Sequence, residues 1–159
     1  METEIPSAPK TSDEAVRLSI VAARYNEEFT DGLLNGALGE FRSLFPNARI
    51  EVVRVPGAFE VPVVVEKIAR RPSGERPEAI LGLGVIIRGS TAHADLIAAS
   101  ITDSFTATAR EHVVPVIHEV LLVDNEDHAR QRTSLESHIN RGVEAARAAG
   151  EMIGVMRTV

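Results

Sequence analysis

"AILGLGVIIRGSTAHAD", Ala79 to Asp95, decides how the chain is read. From Ala79 to Ile87 it is an unbroken apolar run rich in branched side chains, the pattern of a strand covered on both faces of a parallel sheet. Gly89, Ser90 and Thr91 break the run, and an alanine-rich stretch from about Ala92 to Glu111 follows with helical spacing. A buried strand that passes straight into a long helix belongs to the β-α-β class of connection.

Working outward, three more stretches have the same character: "RLSIVAA" (Arg17–Ala23), "RIEVVRV" (Arg49–Val55) and "VVPVIHEVLL" (Val113–Leu122). Helical patterns separate them. Thr30 is placed to cap a helix whose Leu33, Leu34, Ala37, Leu38, Phe41 and Leu44 share one face, and Pro46 stops it. A second helix is expected over about Ala58–Arg70, a short fourth over Asn125–Thr133 and a fifth over Asn140–Met156. Strands alternating with helices predict an α/β sandwich with right-handed crossovers. The charged loop "RRPSGERPE" (Arg70–Glu78) is too short to divide domains, so residues 17–159 form one domain behind a flexible N-terminal arm, residues 1–16.

Composition narrows the function classes. With 159 residues the chain is long enough for one core, and 44% hydrophobic with 25% charged residues is a globular balance. The absence of cysteine removes disulfides, thiolate metal sites and a cysteine nucleophile together, and suits a cytoplasmic location. A net charge of −6 argues against a nucleic-acid partner. The acidic, proline-bearing start lacks the features of a signal peptide, and no apolar stretch is long enough to span a membrane.

Ligands of open parallel sheets bind beyond the carboxyl ends of the strands. The first strand exits into Tyr25 and Asn26. The second exits into "PGAFE", where Pro56 and Gly57 turn the backbone and place Phe59 and Glu60 in the first turn of a helix. The third exits into Arg88–Asp95. There, Ser90 and Thr91 either cap the third helix or hold an anion against its free N–H groups. His93, one turn on, is either a proton-transfer group or an ordinary surface imidazole. His93 and Asp95 cannot face one metal from an i, i+2 spacing, and no third ligand is evident, so no metal is expected. Arg132 and Arg141 flank "TSLESHIN" and either grip an anion or lie free.

Together "ARYN", "VPGAFEVP", "GVIIRGSTAHAD", "VPVI" and "NRG", in this order and at these separations, resemble the lumazine synthase family over nearly all of the chain from Arg17 onward. The resemblance implies a flavodoxin-like three-layer sandwich around a four-stranded parallel sheet. It also implies condensation of 5-amino-6-(D-ribitylamino)uracil with 3,4-dihydroxy-2-butanone 4-phosphate, the penultimate step of riboflavin biosynthesis, without cofactor or metal. Carried over by motif, Tyr25, Asn26, Ala58, Phe59 and Glu60 hold the pyrimidine and ribityl chain, with backbone groups of Val85, Ile86 and Ile87. Ser90 and Thr91 take the phosphate, and His93 transfers protons. Arg132 of an adjacent subunit binds the same phosphate, and its His118 flanks the ring.

The resemblance further implies a homo-oligomer with shared sites and leaves room for association with riboflavin synthase. Three departures stand out. Tyr25 and His118 occupy positions where the family commonly has phenylalanine, and Arg141 stands in a lysine's place. The Arg132–Asn140 connection is longer than usual, which favours a pentamer or pair of pentamers over an icosahedral shell. A module that merely binds the ring would not need His93, Ser90, Thr91 and Arg132 together.

Overall fold

In the computed structural model, which describes residues 4–159, β1 (Arg17–Ala23), β2 (Arg49–Val55), β3 (Ala79–Ile87) and β4 (Val116–Val123) form one parallel sheet in the order β2-β1-β3-β4. The register pairs Leu18 with Ile50 on one side and with Ala79 on the other. Helices α1 (Glu27–Leu44), α4 (Glu126–Thr133) and α5 (Arg141–Thr158) belong to one side, and α2 (Val61–Ala69) and α3 (His93–His112) to the other. This is a flavodoxin-like three-layer sandwich, as expected.

The apolar run in β3 explains the layering. Its side chains alternate, so Leu81, Leu83 and Val85 join the core under α1 and α5 while Ile80 joins the core under α2 and α3. At Gly82 a methyl group would collide with the Phe105 ring, so the missing side chain lets α3 lie close to the sheet. Gly142 does the same between helices, since a methyl there would overlap the Leu33 carbonyl and push α5 off α1.

Three element boundaries differ from the sequence reading by three residues or more, the others by at most two. Thr30 does not cap α1: it lies inside the helix, fully buried, and its N–H reaches the Asn26 carbonyl at 3.0 Å. Asn26 is the capping residue, in the left-handed region at φ 56°. The helix expected from Ala58 starts instead at Val61, because Ala58–Glu60 wind as a tighter 3-10 turn before Pro62 in the first turn of α2. Phe59 and Glu60 therefore project from that turn rather than from the α-helix. Finally β4 begins at Val116 rather than Val113, because Val113 ends α3 in the left-handed region at φ 51° and Pro115 has no N–H to donate.

Of the arm expected over residues 1–16, residues 1–3 lie outside the described residues, and residues 4–16 have no helix or strand. Ser12 N–H donates to the Leu44 carbonyl at 2.8 Å, Asn47 Nδ2 to Asp13 O at 2.8 Å and Arg147 Nη1 to Pro6 O at 2.7 Å. These bonds lay the segment across the end of α1 and against α5.

Candidate active site

The chain leaves β1 for β2 on one side and reaches β3 on the other, so the strand order reverses at β1. Crevices form at such switch points, beyond the carboxyl ends of the strands. A cavity of about 670 Å³ lies there. It is lined by Tyr25 and Asn26 after β1, by Gly57–Glu60 after β2, by Val85–Ile87 at the end of β3, and by Gly89, Thr91, His93, Ala94 and Ile97 beyond it.

The hydrogen bonds explain why these stretches meet. Past the formal ends of β1 and β2, Arg24 N–H still donates to Val55 O at 2.8 Å and Tyr25 N–H to Pro56 O at 2.9 Å. The Tyr25 loop is thereby pinned to the "PGAFE" turn. Asn26 crosses to the third strand, donating from Nδ2 to the Val85 carbonyl at 2.7 Å. The rings of Tyr25 and Phe59 remain 75% and 60% exposed, so two aromatic faces border the cavity without being part of the core.

His93 opens α3, with the Ala92 cap position supplying no side-chain bond. Thr91 Oγ1 accepts a long 3.4 Å bond from the His93 N–H, and other first-turn amides have no carbonyl partner within the helix. A helix start with free donors beside an imidazole suits an anion that must be bound and then released with a proton. Ser90 is exposed in the same loop, flanked by the lining residues Gly89 and Thr91, without lining the cavity itself.

The cavity thus gathers Tyr25, Asn26, Ala58, Phe59, Glu60, Val85, Ile86, Ile87, Thr91 and His93 from the sequence reading. Three others lie elsewhere on the same chain. His118, on β4, stands edge-on to Phe105 with ring centroids 5.0 Å apart, and its Nε2 is 2.8 Å from Thr102 Oγ1. Its Nδ1 accepts from Val120 N–H, and the Thr102 hydroxyl donates to Ala98 O, so Nε2 carries the proton. Burial holds the pKa of His118 below the usual imidazole value, in keeping with that neutral ring. Arg132, on α4, donates from Nη1 to His128 O at 3.1 Å. Arg141 begins α5 and pairs with Glu144.

Gly57, Gly89, Ala94 and Ile97 complete the lining and are not among the site residues expected from the sequence. The signal was partly there: Gly57 and Gly89 sit in the two strand exits, and Ile97 follows His93 at i+4, on the same helix face. In the sequence Asn140 marks only the start of the fifth helix. It is 1% exposed, accepts from Gly142 and Val143 N–H at Oδ1, and donates from Nδ2 to the carbonyls of Gly32, Thr133 and Ser134.

Away from the cavity, Glu66, Glu111 and His112 bring ligand-type atoms within 4.8 Å of one another. Glu66 is already engaged by Thr108, His112 and Arg70, at 2.6, 2.8 and 2.8 Å. The bonds from Thr108 and His112 hold its pKa down to about 2, and a guanidinium on the same oxygen as His112 opposes a cation. The cluster is an ion-pair network tying α2 to α3.

A flavodoxin-like sheet carrying such a cavity at its switch point defines a protein that takes up a small molecule, and sequence comparison says of which kind. The chain belongs to the 6,7-dimethyl-8-ribityllumazine synthase family, which it matches over residues 15–157. It is 38% identical over 144 residues to the 6,7-dimethyl-8-ribityllumazine synthase of Thermococcus kodakarensis, an overlap of 91% of this chain and 88% of that relative. The family comprises transferases of riboflavin biosynthesis, and this chain is an enzyme of that kind. Among the described residues no helix is long and apolar enough to cross a membrane.

Proposed function

We propose that the enzyme condenses 5-amino-6-(D-ribitylamino)uracil with 3,4-dihydroxy-2-butanone 4-phosphate, giving 6,7-dimethyl-8-ribityllumazine, orthophosphate and water, the penultimate step of riboflavin biosynthesis. The observation that carries this reading is the meeting of two aromatic faces, an imidazole and a helix start around one cavity of about 670 Å³. In this reading the pyrimidine stacks on Tyr25, with Asn26 beside it. Ala58, Phe59 and Glu60 hold the ring and ribityl chain, and the backbone of Val85–Ile87 reads the ring edge.

The butanone phosphate lies against Ser90, Thr91 and the first turn of α3. The 5-amino and ribitylamino groups and the ketone must be held in register, and the first amine attack gives a carbinolamine that loses water to an imine. Phosphate leaves, and the remaining amine closes the ring with a second loss of water. Every step moves a proton, which suits His93 at the cavity wall. Amide donors compensate the charge of the departing phosphate. Both substrates are intrinsically reactive, so positioning supplies most of the acceleration.

The site is completed by a second copy of the chain, in a homo-oligomer of five or a pair of such rings, rather than an icosahedral shell. Arg132 of that copy binds the phosphate, its His118 flanks the ring and its Arg141 lies nearby. Supporting this, all three lie outside the cavity of their own chain, while Phe59 in its lining, Val63 in α2 and Leu96 in the first turns of α3 leave apolar side chains 60%, 67% and 69% exposed. A cytoplasmic location and association with riboflavin synthase belong to the same reading. Turnover of both substrates, followed by lumazine fluorescence against an enzyme-free control at the same pH, tests it. A rate no higher than the control would overturn it.

A further inference from the structure

Arg88 carries none of the roles assigned so far, yet it is tied to three residues at once. Its N–H donates to the Val123 carbonyl at 2.9 Å, continuing the β3–β4 ladder past the end of β3. Its side chain donates from Nε and Nη2 to Asp95 Oδ1, at 3.2 and 3.0 Å, and from Nη1 to Asp124 Oδ1 at 2.5 Å. Asp95 lies in the first turn of α3, and Asp124 follows β4. The second oxygen of Asp124 faces His128 Nδ1 of α4 at 3.9 Å.

Gly89, Ser90, Thr91 and Ala92, between Arg88 and the start of α3, are all exposed. The bonds found there are weak or at the far end: His93 N–H to Thr91 Oγ1 at 3.4 Å, and Leu96 N–H to Ala92 O at 3.1 Å. A methyl placed on Gly89 would meet nothing within 4 Å, so packing does not fix the loop there. What brackets the loop is Arg88 at its entrance, bonded to Asp95 beyond its exit.

We propose that Arg88 is a positioning residue: by clamping Asp95 and Asp124 it fixes the Gly89–Ala92 loop and the start of α3 at the cavity. Two carboxylates around one guanidinium leave the trio a net negative charge, so Arg88 is not itself the phosphate ligand. The kinetic half of this inference rests on the reading of the loop as the phosphate-receiving segment, and the structural half does not.

The test uses the full chain with Arg88→Ala and Arg88→Lys. Hydrogen exchange of a peptide spanning Gly89–Leu96, in which the Leu96 N–H is bonded to the Ala92 carbonyl, reads the loop and the start of α3 directly, and Michaelis constants for both substrates read the consequence. Arg88→Ala is expected to speed exchange in that peptide several-fold. It should also raise KM for the phosphate substrate about tenfold against less than about twofold for the pyrimidine, the misplacement being local. Thermal midpoint should move by less than about 2 °C, because exposed ion pairs contribute little to stability. Lysine, which keeps the charge but lacks the fork, should restore part of both effects. Unchanged exchange in the Arg88→Ala loop would overturn the proposal, as would a rise in both constants together with loss of thermal stability. If the wild type turns over neither substrate, the functional reading has failed, and exchange alone decides the positioning role.

Discussion

Asn26 and Val85 join two strands at the mouth of the cavity: the amide of Asn26 donates to the Val85 carbonyl at 2.7 Å while its own backbone holds φ 56°. Asparagine tolerates that backbone region better than most side chains, and its short amide reaches across. Asn26→Ala loses both advantages and should cost about 1–3 kcal/mol of stability. Asn26→Gly, which keeps the backbone freedom, should cost less. Urea denaturation of the pair checks the order, and equal losses would show that the backbone conformation carries none of the cost.

His93→Ala should lower kcat by about tenfold without abolishing turnover, near or below the low end for general acid–base groups because positioning persists. Arg132→Ala should instead raise KM for the phosphate substrate and leave the pyrimidine constant nearly unchanged. Steady-state kinetics with each substrate varied in turn separates the two. A His93→Ala enzyme as fast as wild type removes the imidazole from the mechanism.

Glu119 sits on β4 close to the Arg141–Glu144 pair. Burial pushes its carboxyl up to about 8, with Glu144 adding to the rise and Arg141 opposing it. Between the ordinary value of 4.5 and about 8 the folded chain therefore holds a proton that the unfolded chain has released. Stability falls as pH climbs through that window, by up to about 1.4 kcal/mol per pH unit from this group. Glu119→Gln should flatten the slope in denaturation curves taken from about pH 5 to 9. Parallel curves for the two proteins would show that Glu119 titrates normally.

Asn140→Ala removes the cap of α5 and strips a donor from the carbonyls of Gly32, Thr133 and Ser134 in one change. The loss should be about 3 kcal/mol or more, a cap plus buried groups left unpaired. Asn140→Asp keeps the acceptor for Gly142 and Val143 but not the donor, and should keep only the capping part. Chemical denaturation ranks the two variants.

The layers and the site's core were legible because they depend on local pattern. Apolar runs gave β1, β2 and β3 their ends, and the strand exits placed Tyr25, Phe59 and His93 at one edge. Boundaries failed where a three-dimensional bond overrode preference. Thr30 looks like a cap, but Asn26 serves because its side chain is drawn to Val85, far along the chain. Val113 is a poor candidate for a left-handed backbone, and only the turn from α3 into Pro115 requires it there. Asn140 was hidden for a similar reason, since its five bonds reach residues on α1, α4 and α5. His118, Arg132 and Arg141 lie outside the cavity of their own chain, and no spacing signal in the sequence marks that.

The close seating of Gly142 on the Leu33 carbonyl joins the first helix to the last. A nascent chain therefore emerges with the apolar face of α1 uncovered, and must keep part of it so until α5 clears the ribosome. At ordinary elongation rates that wait is on the order of ten seconds. The sheet strands cover part of that face earlier, but the part at Leu33 and Leu44 that α5 closes stays open to other chains for all of it. The burden on chaperones therefore falls on the N-terminal half, although it is the C-terminal helix that relieves it.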